Sequence, residues 1–185
     1  MSRVRAYLAT SLDDFIAGEG DDLSWLPQPV PGEGDFGFGE FMAEVGALLM
    51  GRRSHDVVAG FGGEWPYGDR PVLVATHRPL APAAPTVRAV AGEASALVAE
   101  ARRAAGGKDV YVDGGELVRQ VMDAGLLDEL TVTLIPVLLG RGRPLGIGLE
   151  RQHALALGRV TQLPRGMVHL EYRCAPRETL EAERP

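Results

Sequence analysis

Three stretches of this sequence join an apolar run to small, hydroxyl-bearing and cationic residues in an order that suits the handling of phosphate. In Leu48-Leu49-Met50-Gly51-Arg52-Arg53-Ser54 the run ends in glycine and is followed by two arginines and a hydroxyl. If a helix begins there, its free amides form an anion site with Arg52, Arg53 and Ser54. In Val72-Leu73-Val74-Ala75-Thr76-His77-Arg78-Pro79 the run ends in a hydroxyl and a guanidinium. An arginine so placed is what a ribose 2′-phosphate needs. In Val110-Tyr111-Val112-Asp113-Gly114-Gly115-Glu116-Leu117 two residues without Cβ let the backbone approach a ligand where a helix starts. Any one of these alone reads as the ordinary end of a strand with exposed polar residues. The three together point to a dinucleotide.

Other motifs fail on physical grounds. Gly32, Gly34 and Gly37 spell G-x-G-x-x-G, but that pattern binds a pyrophosphate only where a strand precedes it and a helix opens within it. Here Pro27, Pro29 and Pro31 precede it, so it is read as a chance match. His55, His77, His153 and His169 lack metal-ligand spacing and read as surface or strand-face residues. No G-x-S-x-G elbow nominates a nucleophilic serine, so a hydrolase has little to stand on. Cys174 is the single cysteine, which leaves no internal disulfide and no Cys-rich metal cage. No metal is expected.

For the three junctions to meet, their apolar runs must be strands of one sheet. Arg3 to Thr10 alternates Val4, Ala6 and Leu8 against Arg5, Tyr7 and Ala9, a strand period. Glycine and proline recur from Gly18 to Gly39, so a long loop is expected there, and loops of that length usually serve a function. Phe38, Phe41, Met42 and Val45 form the stripe of an amphipathic helix, followed by a buried strand from Ala47 to Met50. Pro71 to Ala75 and Thr86 to Val90 read as short strands. Ala94, Leu97, Val98 and Ala101 mark a helix stopped by Gly106 and Gly107. A strand from Val110 to Val112 leads to a helix from Glu116 to Asp123, and Leu130 to Leu139 and Met167 to Arg173 read as strands. Helix and strand alternate early while strands dominate late. The expected fold class is therefore α/β, a three-layer sandwich with helices on both faces of a mixed, mainly parallel sheet that has antiparallel C-terminal strands. Residues 1–174 are read as one domain and 175–185 as a polar C-terminal tail.

Composition narrows the function. The 185 residues are 45% hydrophobic and 24% charged, ordinary for a soluble chain that buries its own core. A net charge of −6 is not the basic balance of a protein that neutralises nucleic-acid phosphates. The longest apolar runs, such as Leu134 to Leu139, fall far short of the roughly 20 residues that cross a bilayer, and no signal-peptide core stands at the N-terminus. A cytoplasmic location is expected, with neither nucleic acid nor membrane as partner.

Four blocks in this order resemble the dihydrofolate reductase-like superfamily: Leu12-Asp13-Asp14-Phe15-Ile16-Ala17-Gly18, the Leu48 to Ser54 junction, Val112-Asp113-Gly114-Gly115-Glu116-Leu117, and Leu127-Asp128-Glu129-Leu130 through Pro136-Val137-Leu138-Leu139-Gly140-Arg141-Gly142. The resemblance is to the stand-alone bacterial relatives of the riboflavin-biosynthesis reductase domain, and it runs from about Arg3 to Arg173. It implies an eight-stranded mixed sheet, NADPH as hydride donor and commonly a homodimer. Carried over by position, it puts Ala9 and Ile16 beside the nicotinamide, with the Gly18 loop as a flap. Gly51, Arg52, Arg53 and Ser54 would hold phosphates, and Thr76, His77 and Arg78 the 2′-phosphate side of the adenosine. Val112, Gly114, Gly115, Glu116 and Leu117 would border the pyrophosphate and the nicotinamide edge. This sequence departs from the pattern in three places. The family's acid on the helix after its Trp-containing loop has no direct counterpart, and Asp35 stands nearest. His55 replaces a frequent aromatic, and Gly146 a bulky apolar residue.

The expected function is an NADPH-dependent reductase that transfers hydride to a C=N or C=O carbon of a small heterocyclic substrate of pterin, pyrimidine or ribityl type. The protein's part is to hold the reacting carbons in contact and exclude water. Asp35 or a water is the expected proton donor, with Asp14 the next candidate. Trp25, Phe36 and Phe41 would stack on a flat substrate, although Phe41 also lies on a helix stripe that packs a core. The alternative is a catalytically silent dinucleotide-binding protein that kept the cofactor groove.

Overall fold

The computed structural model describes residues 2–174 apart from Pro29 and Pro31, and the polar tail expected at 175–185 lies outside the described residues. The chain runs β1 (Val4–Ser11), β2 (Phe15–Ala17), α1 (Phe38–Glu44), β3 (Val45–Gly51), α2 (Arg52–Gly60), β4 (Val72–Ala75) and β5 (Val87–Val90). It continues with α3 (Ala94–Ala104), β6 (Asp109–Asp113), α4 (Gly115–Asp123), β7 (Glu129–Ile135), β8 (Arg143–Pro144), β9 (Leu155–Gln162) and β10 (Val168–Cys174). Eight strands form one sheet in the order β5-β4-β3-β6-β1-β7-β10-β9, while β2 and β8 pair separately. From β5 across to β7 every pairing is parallel, and β10 runs antiparallel to both β7 and β9. The α/β sandwich with a mixed, mainly parallel sheet is the expected one.

Alternation along the strands sorts side chains onto two cores. Val4, Ala6, Leu49, Val110 and Val112 face Leu97, Val98 and Ala101 of α3 and Leu117, Val118 and Val121 of α4. On the opposite face Leu48, Met50, Val72, Val74 and Tyr111 meet Phe41 and Met42 of α1, with Val58 of α2 and Trp65 packed alongside. Leu48, Leu49, Met50, Val72 and Val110 are completely buried, which accounts for their reading as unbroken apolar runs. No helix among the described residues is long and apolar enough to cross a membrane.

Several boundaries differ from the sequence reading. Val45, read on a helix stripe, opens β3 instead, because α1 ends at Glu44. The strand expected over Leu130 to Leu139 stops at Ile135, since Pro136 has no amide to continue the ladder. The turn beyond it meets Asp13, whose carboxylate accepts from the Leu139 amide at 3.1 Å and the Gly140 amide at 2.7 Å. Asp14 is tied down in the same region, accepting from the Gly146 amide at 2.9 Å. Strand β9 was not legible, because a register shift opposite Glu171 and Tyr172 breaks its alternation. Leu155, Leu157 and Val160 remain exposed at this edge of the sheet.

Gly46 marks where packing leaves no room for a side chain. A Cβ there would lie 2.2 Å from the Ala105 carbonyl oxygen and 2.8 Å from the Lys108 Cβ. Gly46→Ala must displace backbone and is expected to destabilise the fold by about 1–3 kcal/mol, read as a lower urea midpoint.

Candidate active site

Parallel strands carry their helix-initiating turns at one end of the sheet, and ligands collect there. The carboxyl ends of β1, β3, β4 and β6 open onto a single cleft of about 1380 Å³. Of the residues expected to hold a cofactor, Ala9, Ile16, Gly51, Arg52, Arg53, Ser54, Thr76, His77, Arg78, Gly114, Gly115, Glu116 and Leu117 all line it. Val112 does not. Its side chain is completely buried in the core beneath the cleft, which leaves only its backbone near the floor.

The junctions after β3 and β6 fit into one another. Gly114 takes a φ of +101°, and a Cβ there would stand 2.8 Å from the Ser54 hydroxyl and 3.4 Å from the Gly51 amide nitrogen. Two chain turns thus approach as closely as backbone allows, and the first turns of α2 and α4 present unpaired amides side by side. Gly115 is constrained in turn by Ile16, whose Cδ1 would lie 2.5 Å from a Cβ at that position. This is a cradle of the kind that admits a pyrophosphate.

The arginines in the cleft differ in what already holds them. Arg52 donates from Nε to both Asp56 oxygens at 2.8 and 3.0 Å, and from Nη1 to the Pro79 carbonyl at 2.7 Å. It therefore braces α2 against the turn that follows β4. In that turn the Thr76 hydroxyl accepts from the Arg78 amide at 3.1 Å, and Arg78 itself is exposed. Arg53 lies 3.6 Å from Asp21, which also pairs with Arg143.

The expected substrate residues are not brought to the cleft wall. Asp35 is exposed and spends its carboxylate on the entry to α1, accepting from the Gly37 amide at 3.1 Å and the Gly39 amide at 2.7 Å. Asp14 is likewise engaged in a loop contact. Phe41 is core, 5% exposed, with the Arg5 guanidinium 4.8 Å above its ring. Phe36 sits at a positive φ, and its carbonyl accepts from the Tyr7 hydroxyl at 2.9 Å. Trp25 donates its indole N–H to the Asp22 carbonyl at 3.1 Å and stays outside the cleft, while Leu23 and Leu26 on either side of it enter. The helical periodicity that marked Phe41 was the core signal, and the aspartate ahead of the helix was its cap.

Several acids line the cleft, Asp21 and Glu116 among them, and the one whose carboxyl is raised by burial is Asp113. Asp113 ends β6 on the same sheet face as Tyr111 and accepts from the Gly114 amide at 2.8 Å. Burial pushes its carboxyl up to about 6, against the opposing pull of the Gly114 amide and the Tyr111 hydroxyl. Burial also raises Tyr7, another cleft residue, to about 12. The signal for Asp113 was present in the sequence as a lone charge closing an apolar central strand, between Val112 and a Gly-Gly turn.

The model of the RibD C-terminal domain matches residues 2–169. The chain belongs to this family. It is 33% identical to the uncharacterized protein YwjB of Bacillus subtilis over 151 residues, 82% of this chain and 86% of that one. It is 26% identical to YyaP of the same organism over 180 residues, 92% of this chain and 94% of that one. Among solved structures, a Shewanella sp. PV-4 protein whose name links it to riboflavin biosynthesis is 31% identical, with a TM-score of 0.83 over 94% of this chain and 99% of its own. The Thermotoga maritima diaminohydroxyphosphoribosylaminopyrimidine deaminase/5-amino-6-(5-phosphoribosylamino)uracil reductase shares the fold at a TM-score of 0.68 and 16% identity. The match covers 94% of this chain and 57% of that protein.

A carboxyl whose folded value of about 6 lies above the ordinary 3.8 favours the folded state fully below pH 3.8, and that contribution is lost as the pH rises through 6. Asp113→Asn should remove this loss. Urea titrations are expected to show the variant more stable than the parent at pH 8, with the two converging near pH 4.

Proposed function

We propose that the chain is an NADPH-dependent reductase acting on a small heterocyclic substrate of pterin, pyrimidine or ribityl type. The observation that supports this most is the interlocked pair of glycine turns after β3 and β6, which a single Cβ at Gly114 would close. Membership of the RibD C-terminal domain family supports the same reading, as does the fold shared with a pyrimidine reductase-like protein of Corynebacterium diphtheriae at a TM-score of 0.64, 14% identity and coverage of 94% of this chain and 92% of that one. A cytoplasmic location and a homodimer belong to the same proposal.

In this reading the amides opening α2 and α4 hold the pyrophosphate with Ser54, and Arg78 with Thr76 and His77 holds the 2′-phosphate. Ala9 and Ile16 border the nicotinamide. When bound, NADPH supplies the hydride, and the protein contributes position, dryness and a proton. Asp113 replaces Asp35 as the acid. A carboxyl near 6 is still partly protonated at neutral pH and can donate in the transition state, whereas an ordinary exposed carboxylate is empty. Tyr7, beside the same cleft, stays protonated throughout this range and contributes a fixed dipole. A silent binder would need the same glycine cradle but would have no use for an acid buried next to it.

The test is a parallel titration with NADPH and NADH, followed by Trp and reduced-nicotinamide fluorescence. NADPH is expected to bind more tightly. Arg78→Ala should cost about 1.5–3 kcal/mol of NADPH affinity while leaving NADH unchanged. Equal affinity of the parent for the two cofactors would refute the assignment of the β4 turn.

A further inference from the structure

We propose that Asp56, which lies outside the cleft, is a positioning residue for cofactor choice: it holds Arg52 against the turn after β4 and so sets where Arg78 meets the 2′-phosphate. The inference rests on the reading that this turn holds the 2′-phosphate of NADPH.

Two phosphate sites open onto the cleft from different elements. The glycine turns lead into α2 and α4, while Arg78 belongs to the turn after β4. A dinucleotide presents its pyrophosphate and its 2′-phosphate at a separation limited by one ribose, so the two sites must keep their spacing. A spacing held before binding costs less affinity than one the ligand has to order. Strand β4 alone does not set it, because the strand ends at Ala75 and Arg78 lies beyond it, exposed.

The turn is anchored at its start by the Thr76 amide, which donates to the Val90 carbonyl at 2.9 Å, and beyond its end by Leu80, packed against the core. The one hydrogen bond that joins it to α2 among the described residues runs from Arg52 Nη1 to the carbonyl of Pro79, the residue after Arg78. Arg52 is aimed there by Asp56, one helical turn further along α2, whose two oxygens accept from Nε at 2.8 and 3.0 Å. Asp56 is steadied in turn by His55, whose Nδ1 stands 3.1 Å from its Oδ1 and whose buried ring lies beside Trp65. Desolvation works to raise the Asp56 carboxyl, yet the hydrogen bonds from Arg52 and His55 hold it below its ordinary value. It is therefore an anion at neutral pH. A line of contacts thus runs from the core through His55, Asp56 and Arg52 to the peptide next to Arg78. Without Asp56 the long Arg52 side chain regains its rotamers, and the tie to Pro79 weakens.

The experiment measures the dissociation constants of NADPH and NADH for the parent, Asp56→Ala, Arg52→Ala and the double variant by reduced-nicotinamide fluorescence. Asp56→Ala is expected to lower the preference for NADPH by about threefold or more, with NADH affinity held within about twofold, the modest size reflecting a partly exposed ion pair. A carboxylate that acted only through its charge would give the opposite sign, because its loss favours the cofactor with the additional phosphate. In the Arg52→Ala background, Asp56→Ala should leave the preference where it stands, since Asp56 acts through Arg52. An unchanged or increased preference in Asp56→Ala overturns the inference, as does an equal loss of both cofactors or a further drop in the double variant. If the parent prefers NADPH and Asp56→Ala keeps that preference, only this inference falls. If the parent binds the two cofactors equally or binds neither, the reading of the β4 turn falls and takes the inference with it.

Discussion

Two helices can begin side by side at the ends of neighbouring parallel strands only if the backbone turning into each leaves room for the other. Strands β3 and β6 are adjacent, and their exits meet where Gly114 lies against Ser54 and Gly51. Much of the site follows from that contact. It brings the amides of α2 and α4 to one place, and it lets Ile16 settle on Gly115, so that β2 closes over the same spot. It also sets Asp113 at the floor, because the residue just before so tight a turn has its carboxylate drawn onto the turn's own amide.

The cleft is electrically divided by that arrangement. Partial positive charge from two helix starts gathers on one side, reinforced by arginines, with Asp113 buried at the floor between them, while Leu23, Leu26, Val57 and Phe61 make an apolar stretch of wall. The same low polarity that raises Asp113 also lifts the Tyr7 and Tyr111 hydroxyls, so proton-bearing groups cluster where water is scarce. Asp13 works in the opposite sense. Hydrogen bonds from Ser11 and from the Leu139 and Gly140 amides hold its carboxyl down at about 2, and it serves as a fixed anionic clasp between loops.

The strand exits that line the cleft were legible because they are local: an apolar run closed by a glycine turn defines a strand exit whatever surrounds it. Leu48 to Ser54 and Val110 to Leu117 carried that information in full. The apolar wall of the cleft was not legible, since Leu23 and Leu26 come from the loop after β2 and Val57 and Phe61 from α2 and its end, and the two segments meet only in space. Asp35 and Phe41 misled for a related reason. A cap before a helix and an apolar stripe along it look the same whether or not a ligand lies nearby, and here the ordinary structural roles prevail. Strand β9 failed on periodicity alone, because an irregular register erases the two-residue alternation that identifies a strand.

The β2–β8 ribbon shares no ladder with the eight-stranded sheet. Its pairing reaches only from Phe15 opposite Pro144 to Ala17 opposite Arg143. Lifting it breaks a few local hydrogen bonds and leaves every rung of the main sheet intact. Opening of the ribbon is thereby expected to be sub-global, with its amides exchanging faster than those of β3 and β6. Changes at the ribbon's exposed positions can retune access, while the buried Ala17 and the adjoining Leu145 tie it to the core.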